Sequence, residues 1–435
     1  MRILTATNTY SPAANGQAVF VHSLAEGLAT RGQTVLVATP SEYGTPKSSF
    51  ASTGVQLKAI HSIPLTLWHP DARVTVTNRH AAKDLMRRFR PDVVHIHDHY
   101  PLCRAFAQEA HRLHIPLVAT NHFLPDNLSP YLPGWLHFAP LYRWVLWRWM
   151  VDVYRLADVV TVQSASAAVI LRGQGLGQPM QAISCGVNTR RFAPMADLDR
   201  EAVRMRLGLP LGKTLALFVG RLDREKRLDV LLRGLACIQR TDIHLAIAGQ
   251  GAAAQELREL AQRLGLEAKV HFLGHVSDND LPLLLNCADI FAMPSDAELL
   301  SIATLEAMAS GKPILAAQAQ ALPELVTDGE NGLLFCPGDV QDAARALERF
   351  AGQPNHWAAM GAASRRRAEQ HSHEEVLRSY ECLYDSMQAQ SNWNDAVNDT
   401  AESRWLPGKP TLSRVTIQAM PVRLQKGSSV FYGEI

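Results

Sequence analysis

Pro294-Ser-Asp-Ala-Glu298-Leu-Leu-Ser-Ile-Ala-Thr-Leu-Glu306-Ala-Met-Ala-Ser-Gly311-Lys-Pro313 sets two glutamates eight residues apart, directly after the run Asp289-Ile-Phe-Ala-Met293 and at the start of a helix that Gly311 closes. A carboxylate at a strand's carboxyl end and another early in the following helix stand where open α/β sheets bind ligands. Carboxylates only accept hydrogen bonds, which suits sugar hydroxyls, and the helix start between them favours an anion such as phosphate. The ligand so described is a sugar nucleotide. Two surface glutamates flanking a helix are the plain alternative, and the rest of the chain has to decide.

Working outward, apolar runs alternate with helix-period segments nearly throughout, the pattern of parallel sheets with helical crossovers. Strands are expected near Ile3–Thr7, Thr34–Ala38, Val55–Ala59, Val93–Ile96, Leu117–Thr120, Val159–Val162 and Gln181–Ser184. After Gly186-Val-Asn-Thr-Arg-Arg-Phe-Ala-Pro194 the alternation restarts, with strands near Leu215–Val219, His244–Ala248, Val270–Leu273, Ile290–Met293 and Ile314–Ala316. This is an α/β chain of two Rossmann-like domains, 1–187 and 188–371, facing a cleft. Apolar residues at helical spacing over Ser372–Met387 add one more helix. Beyond Gln388 the pattern fails, and 391–435 is expected to be a poorly ordered tail.

At 435 residues the chain is long enough for two domains with real cores. Lysine plus arginine number 43 against 41 acidic residues, so the bulk charge does not call for nucleic acid. Six scattered cysteines without a Cys-x-x-Cys pair suggest buried free thiols rather than disulfides or zinc. Met1-Arg-Ile-Leu-Thr-Ala-Thr-Asn runs into Pro12 and Gly16 with no long apolar segment, so a cytoplasmic location is expected.

The Glu298-x7-Glu306 segment, Pro323-Glu324-Leu-Val-Thr-Asp-Gly329-Glu-Asn-Gly332 and Val219-Gly220-Arg221-Leu-Asp-Arg-Glu225-Lys226 together resemble retaining glycosyltransferases of family 4, a likeness covering roughly residues 1 to 388. The resemblance implies the two-domain GT-B arrangement, with the last helix crossing back to cover the first domain. One departure is Ser301, where the family often has glycine, and it leaves the donor sugar open.

Arg221 and Lys226 follow the first strand of the second half, where cations can grip a diphosphate and neutralise the charge that develops as it leaves. By the resemblance this pair binds the donor's diphosphate, Glu298 holds the transferred sugar and Glu306 the ribose. Gly16, Gly251, Val276 and Leu300 join them along the donor. His122, just past the strand Leu117–Thr120, is implied to lie beside the reacting sugar; His97, Asp98 and His99 end the preceding strand, where they are expected to line the acceptor pocket. Asp278-Asn279-Asp280 spells a triplet that holds divalent metals elsewhere, but it precedes the helix Leu281–Asn286 and reads more simply as a cap. No metal or other cofactor is expected.

Tyr131 to Leu156 carries four of the eight tryptophans beside arginines, with Arg148, Asp152 and Arg155 on one helical stripe. Interfacial helices combine tryptophan and arginine in this way; a crossover helix packing a wide apolar face on the sheet is the alternative. The expected reaction moves a sugar from a UDP- or GDP-sugar to a lipid or carbohydrate hydroxyl. A membrane glycolipid precursor such as diacylglycerol is favoured as acceptor, with 135–156 meeting an anionic membrane surface. A soluble acceptor, a sugar-nucleotide epimerase on the same fold and a non-catalytic sensor are the competing readings.

Overall fold

Strands whose residues are buried on both faces, such as Val93–Ile96 and Ile290–Met293, are continuous apolar or nearly apolar runs because helices cover both sides of a parallel sheet. In the computed structural model, which describes residues 1–10, 16–41, 48–50, 54–64, 73–76, 78–125 and 140–401, they form two sheets. The first runs Met180–Ala182, Val159–Val162, Leu117–Thr120, Val93–Ile96, Arg2–Ala6, Thr34–Pro40, Gln56–Ile60 and Ser48–Phe50, parallel except for the last strand. The second runs Val270–Gly274, Ile243–Ala248, Thr214–Val219, Ile290–Met293, Ile314–Ala317 and Gly332–Phe335, all parallel. Each sheet reverses its winding beside its first strand: between Arg2–Ala6 and Val93–Ile96, and between Thr214–Val219 and Ile290–Met293. Ligands bind at such switch points, outside the carboxyl ends of the strands.

The two sheets define two Rossmann-like lobes within the unit Met1–Ser391. Val187 in the segment linking them pairs with the turn before the last helix, through Val187 N to His371 O at 2.9 Å and His373 N to Val187 O at 3.1 Å. That helix, His373–Ala401, returns to the first lobe. Tyr384 and Tyr380 are fully buried there, with the Tyr384 hydroxyl 2.7 Å from His95 Nδ1 and the Tyr380 hydroxyl 3.1 Å from Thr161 Oγ1. Leu377 packs so closely on Gly27 that a Cβ at that glycine would stand 2.6 Å from it.

Several sequence expectations change. The helix continues to Ala401, past the point where its apolar spacing ends, so it overlaps the first part of the stretch 391–435 expected to be a poorly ordered tail. Residues from Asn392 on form a second unit, of which only the end of this helix is described. The edge strands Ser48–Phe50 and Gly332–Phe335 and the small hairpin Ser62–Pro64/Arg73–Thr75 were not anticipated; the first and the hairpin's strands have three residues each, too short to show a period. Ala14, Asn15, Trp135 with the rest of 131–139, and 402–435 lie outside the described residues.

Candidate active site

The second lobe supplies two loops that lock together. The chain after Thr214–Val219 passes through Gly220 into the short 3-10 turn Arg224–Lys226, and Arg227 then takes a left-handed conformation, φ 49°, ahead of the helix Leu228–Cys237. Ser295 Oγ donates to Glu225 O at 3.2 Å, and Arg227 Nη1 to Asp296 Oδ2 at 3.0 Å, fastening this turn to the loop after Ile290–Met293. The turn thereby delivers Lys226 Nζ to Glu298 Oε1 at 2.6 Å, with both side chains largely buried. Arg221 is more open and rests on carboxylates of its own loop, Asp223 at 2.7 Å and Glu225 at 3.3 Å. Two cations and a largely buried carboxylate therefore sit on neighbouring loops at the switch point.

Ser301 explains itself locally. It caps the helix Ile302–Ala309, its Oγ accepting from Thr304 N at 3.3 Å. Glycine at 251 likewise has an internal cause, since a Cβ there would stand 2.5 Å from the backbone of Leu222. Gly249 is under the same constraint, 1.8 Å from Gly220 O. Val276 is partly buried against the second lobe's core and Leu300 is buried, so their side chains serve packing. Burial pushes the Glu306 carboxyl up to about 7, reinforced by Asp278 and opposed by Arg191. Arg191, whose Nη2 donates to Asp278 O at 2.6 Å, is a neighbour of the site that the sequence reading passed over. Asp280 is taken up by Arg206 at 2.7 Å and by the Ser277 hydroxyl at 2.7 Å, which also accepts from Asp280 N at 3.1 Å within the turn; Asp280 itself stands at the N-cap of the helix Leu281–Cys287 and makes no side-chain cap bond, a correction to the cap reading.

The first lobe faces this assembly. A Cβ at Gly16 would lie 3.9 Å from Ile302 Cδ1, so the start of the helix Gly16–Thr30 meets the start of Ile302–Ala309 across the cleft. Leu299 packs against the first lobe's core cluster. His122 Nδ1 lies 3.2 Å from Gln163 Nε2 and its Nε2 lies 3.1 Å from His97 Nδ1, and desolvation lowers its pKa to about 3. It is a neutral imidazole, able to hydrogen-bond but not to serve as an acid near neutral pH. His97 and Asp98 are fully buried and reach the cleft only through partners. His97 acts through His122; Asp98 accepts from Asn8 N at 2.7 Å, Tyr100 N at 3.0 Å and Gln17 Nε2 at 3.0 Å, which anchors the residue next to Gly16. Gln163 was also passed over, although it follows a strand's carboxyl end just as His122 does.

The helix Pro140–Tyr154 splits by face. Trp147, Met150, Val151 and Tyr154 are buried, while Leu141, Trp144 and Val145 stand exposed on the same side as Arg148 and Asp152, which pair at 3.1 Å. Trp147 is therefore a core residue and not an interfacial one, a correction to the expectation for this segment. Trp149 lies between the faces, donating from Nε1 to His99 O at 2.8 Å under Arg104. Among the described residues no helix is long and apolar enough to cross a membrane.

Comparison with known proteins identifies the family and the fold. A family model described as glycosyl transferases group 1 matches residues 199–367, and one described as Glycosyltransferase Family 4 matches residues 14–191. The chain is 31% identical over 377 residues to the D-inositol 3-phosphate glycosyltransferase of Streptomyces scabiei, covering 82% of this chain and 83% of that protein. It is 27% identical over 346 residues to the sulfoquinovosyl transferase of Arabidopsis thaliana, covering 78% of this chain and 64% of that one. Among solved structures, sucrose-phosphate synthase from Thermosynechococcus elongatus superposes with a TM-score of 0.71 at 23% identity, over 90% of this chain and all of the other. HepE of Anabaena in complex with UDP does so with a TM-score of 0.71 at 20% identity, over 89% of this chain and all of that one. These last two similarities speak to the fold alone.

Proposed function

The chain belongs to the glycosyltransferases of family 4, and from that premise we infer that it moves a sugar from a nucleotide diphosphate donor to an acceptor hydroxyl with retained anomeric configuration. The observation that carries the reading is the Lys226–Glu298 pair at the second lobe's switch point, on the loop that leads into the helix meeting Gly16 of the first lobe. Donor phosphates would draw Lys226 and Arg221 from their carboxylate partners, and Glu298 would accept from the sugar's hydroxyls. Glu306 would hold the ribose. His122 would position the reacting sugar by exchanging its bond to His97. The acceptor oxygen then bonds to the anomeric carbon on the face the diphosphate leaves, and a phosphate oxygen takes its proton. The two side-chain cations supply the charge stabilisation, so no divalent metal is required.

UDP- and GDP-sugars are both candidate donors; HepE of Anabaena, similar in fold, is known in complex with UDP. A lipid-borne acceptor is supported by the outward apolar face Leu141, Trp144 and Val145 beside Arg148, a composition suited to the headgroup region of an anionic leaflet. Activity in strong chelator with radiolabelled UDP- and GDP-sugars and a lipid extract tests the proposal. Product in the organic phase is expected. Product appearing only in water would replace the lipid acceptor by a soluble one, and loss of activity restored by magnesium or manganese would refute metal independence.

A further inference from the structure

Glu324, in the Pro323-Glu324-Leu325 motif that the donor site leaves unexplained, crosses to the first lobe. Its carboxylate accepts from Ala165 N at 2.8 Å, Ser166 N at 2.7 Å and Ser166 Oγ at 2.6 Å, and Ser166 Oγ also lies 3.0 Å from Gln320 O. Ala165 and Ser166 open the helix Ala165–Gly173, whose next amide, Ala167 N, is capped by Ser164 Oγ from within its own lobe. The first turn of a first-lobe helix is thus completed by an anion from the second lobe, the sign that a helix N-terminus favours.

Both ends of this contact run directly into the site. On the second lobe Ala321 N donates to Glu298 O at 3.2 Å, and Gln320, at φ 44°, turns the chain towards the helix that carries Glu324. On the first lobe, Ala165 follows Gln163 by two residues, and Gln163 holds His122. We propose that Glu324 is a positioning residue for sugar transfer, a latch whose bond to the Ala165–Ser166 turn sets His122 in register with Glu298 when the lobes close. The assignment of roles to His122 and Glu298 rests on the function proposed above; the latch itself does not. Glu324 is exposed to solvent, so water competes for the bond, which suits a contact that must open to release product at each turnover.

Glu324→Gln keeps the size of the side chain and removes the charge, Glu324→Asp keeps the charge at shorter reach, and Ser166→Ala removes one donor. Two readouts are needed. Hydrogen exchange at the Ala165 and Ser166 amides and the radius of gyration from X-ray scattering report the latch without reference to activity. For Glu324→Gln, faster exchange at those amides and an expanded particle are expected. Steady-state kinetics should show kcat down about five- to tenfold with donor KM and nucleotide affinity unchanged, and Glu324→Asp partly restored. The double variant Glu324→Gln/Ser166→Ala should be no slower than Glu324→Gln alone, as for residues acting as one unit. Unchanged exchange and scattering would overturn the latch. An opened latch with undiminished kcat would overturn its positioning role, and additive losses with weakened nucleotide binding would reduce Glu324 to a support of its own lobe. Were the chain to transfer no sugar at all, the exchange and scattering outcomes would still stand, so the two readings fail separately.

Discussion

Glu306 ties nucleotide affinity to pH. Burial holds its carboxyl at about 7, so the unliganded site is half protonated near neutrality. A ribose hydroxyl donates to the ionised form, so binding should draw on that form alone. The ionised fraction rises from about one tenth at about pH 6 to about nine tenths at about pH 8, and donor affinity should rise about tenfold across that interval. A nucleotide sugar is the right probe, because its diphosphate is esterified at both ends and keeps its charge over this range. Titration calorimetry at about pH 6, 7 and 8 measures the effect, and Glu306→Gln should bind weakly with a flat profile. The unliganded protein should respond in the opposite sense. A carboxyl raised from 4.5 to about 7 by folding contributes stability that is full below its unfolded value and lost as pH rises through about 7, on the order of 3 kcal/mol in all. Wild-type affinity that stays flat from about pH 6 to about pH 8, or a glutamine variant that binds as tightly as wild type at the upper end, would refute the assignment of the ribose to Glu306.

Removing Lys226 strips the buried Glu298 of its partner as well as the diphosphate of a cation, so Lys226→Ala should lower kcat/KM by about a hundredfold or more; steady-state kinetics near the wild-type value would remove it from the site. Trp147→Ala should cost about 3–5 kcal/mol in denaturant melts, whereas Trp144→Ala, on the exposed face, should leave stability within about 0.5 kcal/mol and weaken co-sedimentation with anionic vesicles; equal melts for the two would contradict the split between faces. Gly251→Ala drives a methyl into the Leu222 backbone, so nucleotide affinity should fall as the Arg221 loop shifts, and unaltered calorimetry would show that the loop yields without consequence. His122→Ala should reduce turnover while sparing donor affinity, and unchanged turnover at saturation would return the residue to a packing role.

What could be read from the sequence alone is what depends on near neighbours along the chain. Strands buried on both faces must be apolar throughout, so Val93–Ile96 and Ile290–Met293 announce themselves, and the residues that follow them fall at the cleft because parallel strands point their carboxyl ends the same way. Lys226 and Glu298, 72 residues apart, were each visible on such a loop, but their 2.6 Å meeting depends on how neighbouring loops lock. His122 owes its neutral state to burial that only the folded lobe provides, with Gln163 and His97, 41 and 25 residues distant, at its two ring nitrogens. Trp147 and Trp144 stand three residues apart on one helix with similar flanks, and only packing on the sheet turned one inward and left the other in solvent. Glu324 shows the limit most clearly: it lies 159 residues from Ala165, and no periodicity encodes a contact made when two separately wound lobes come together.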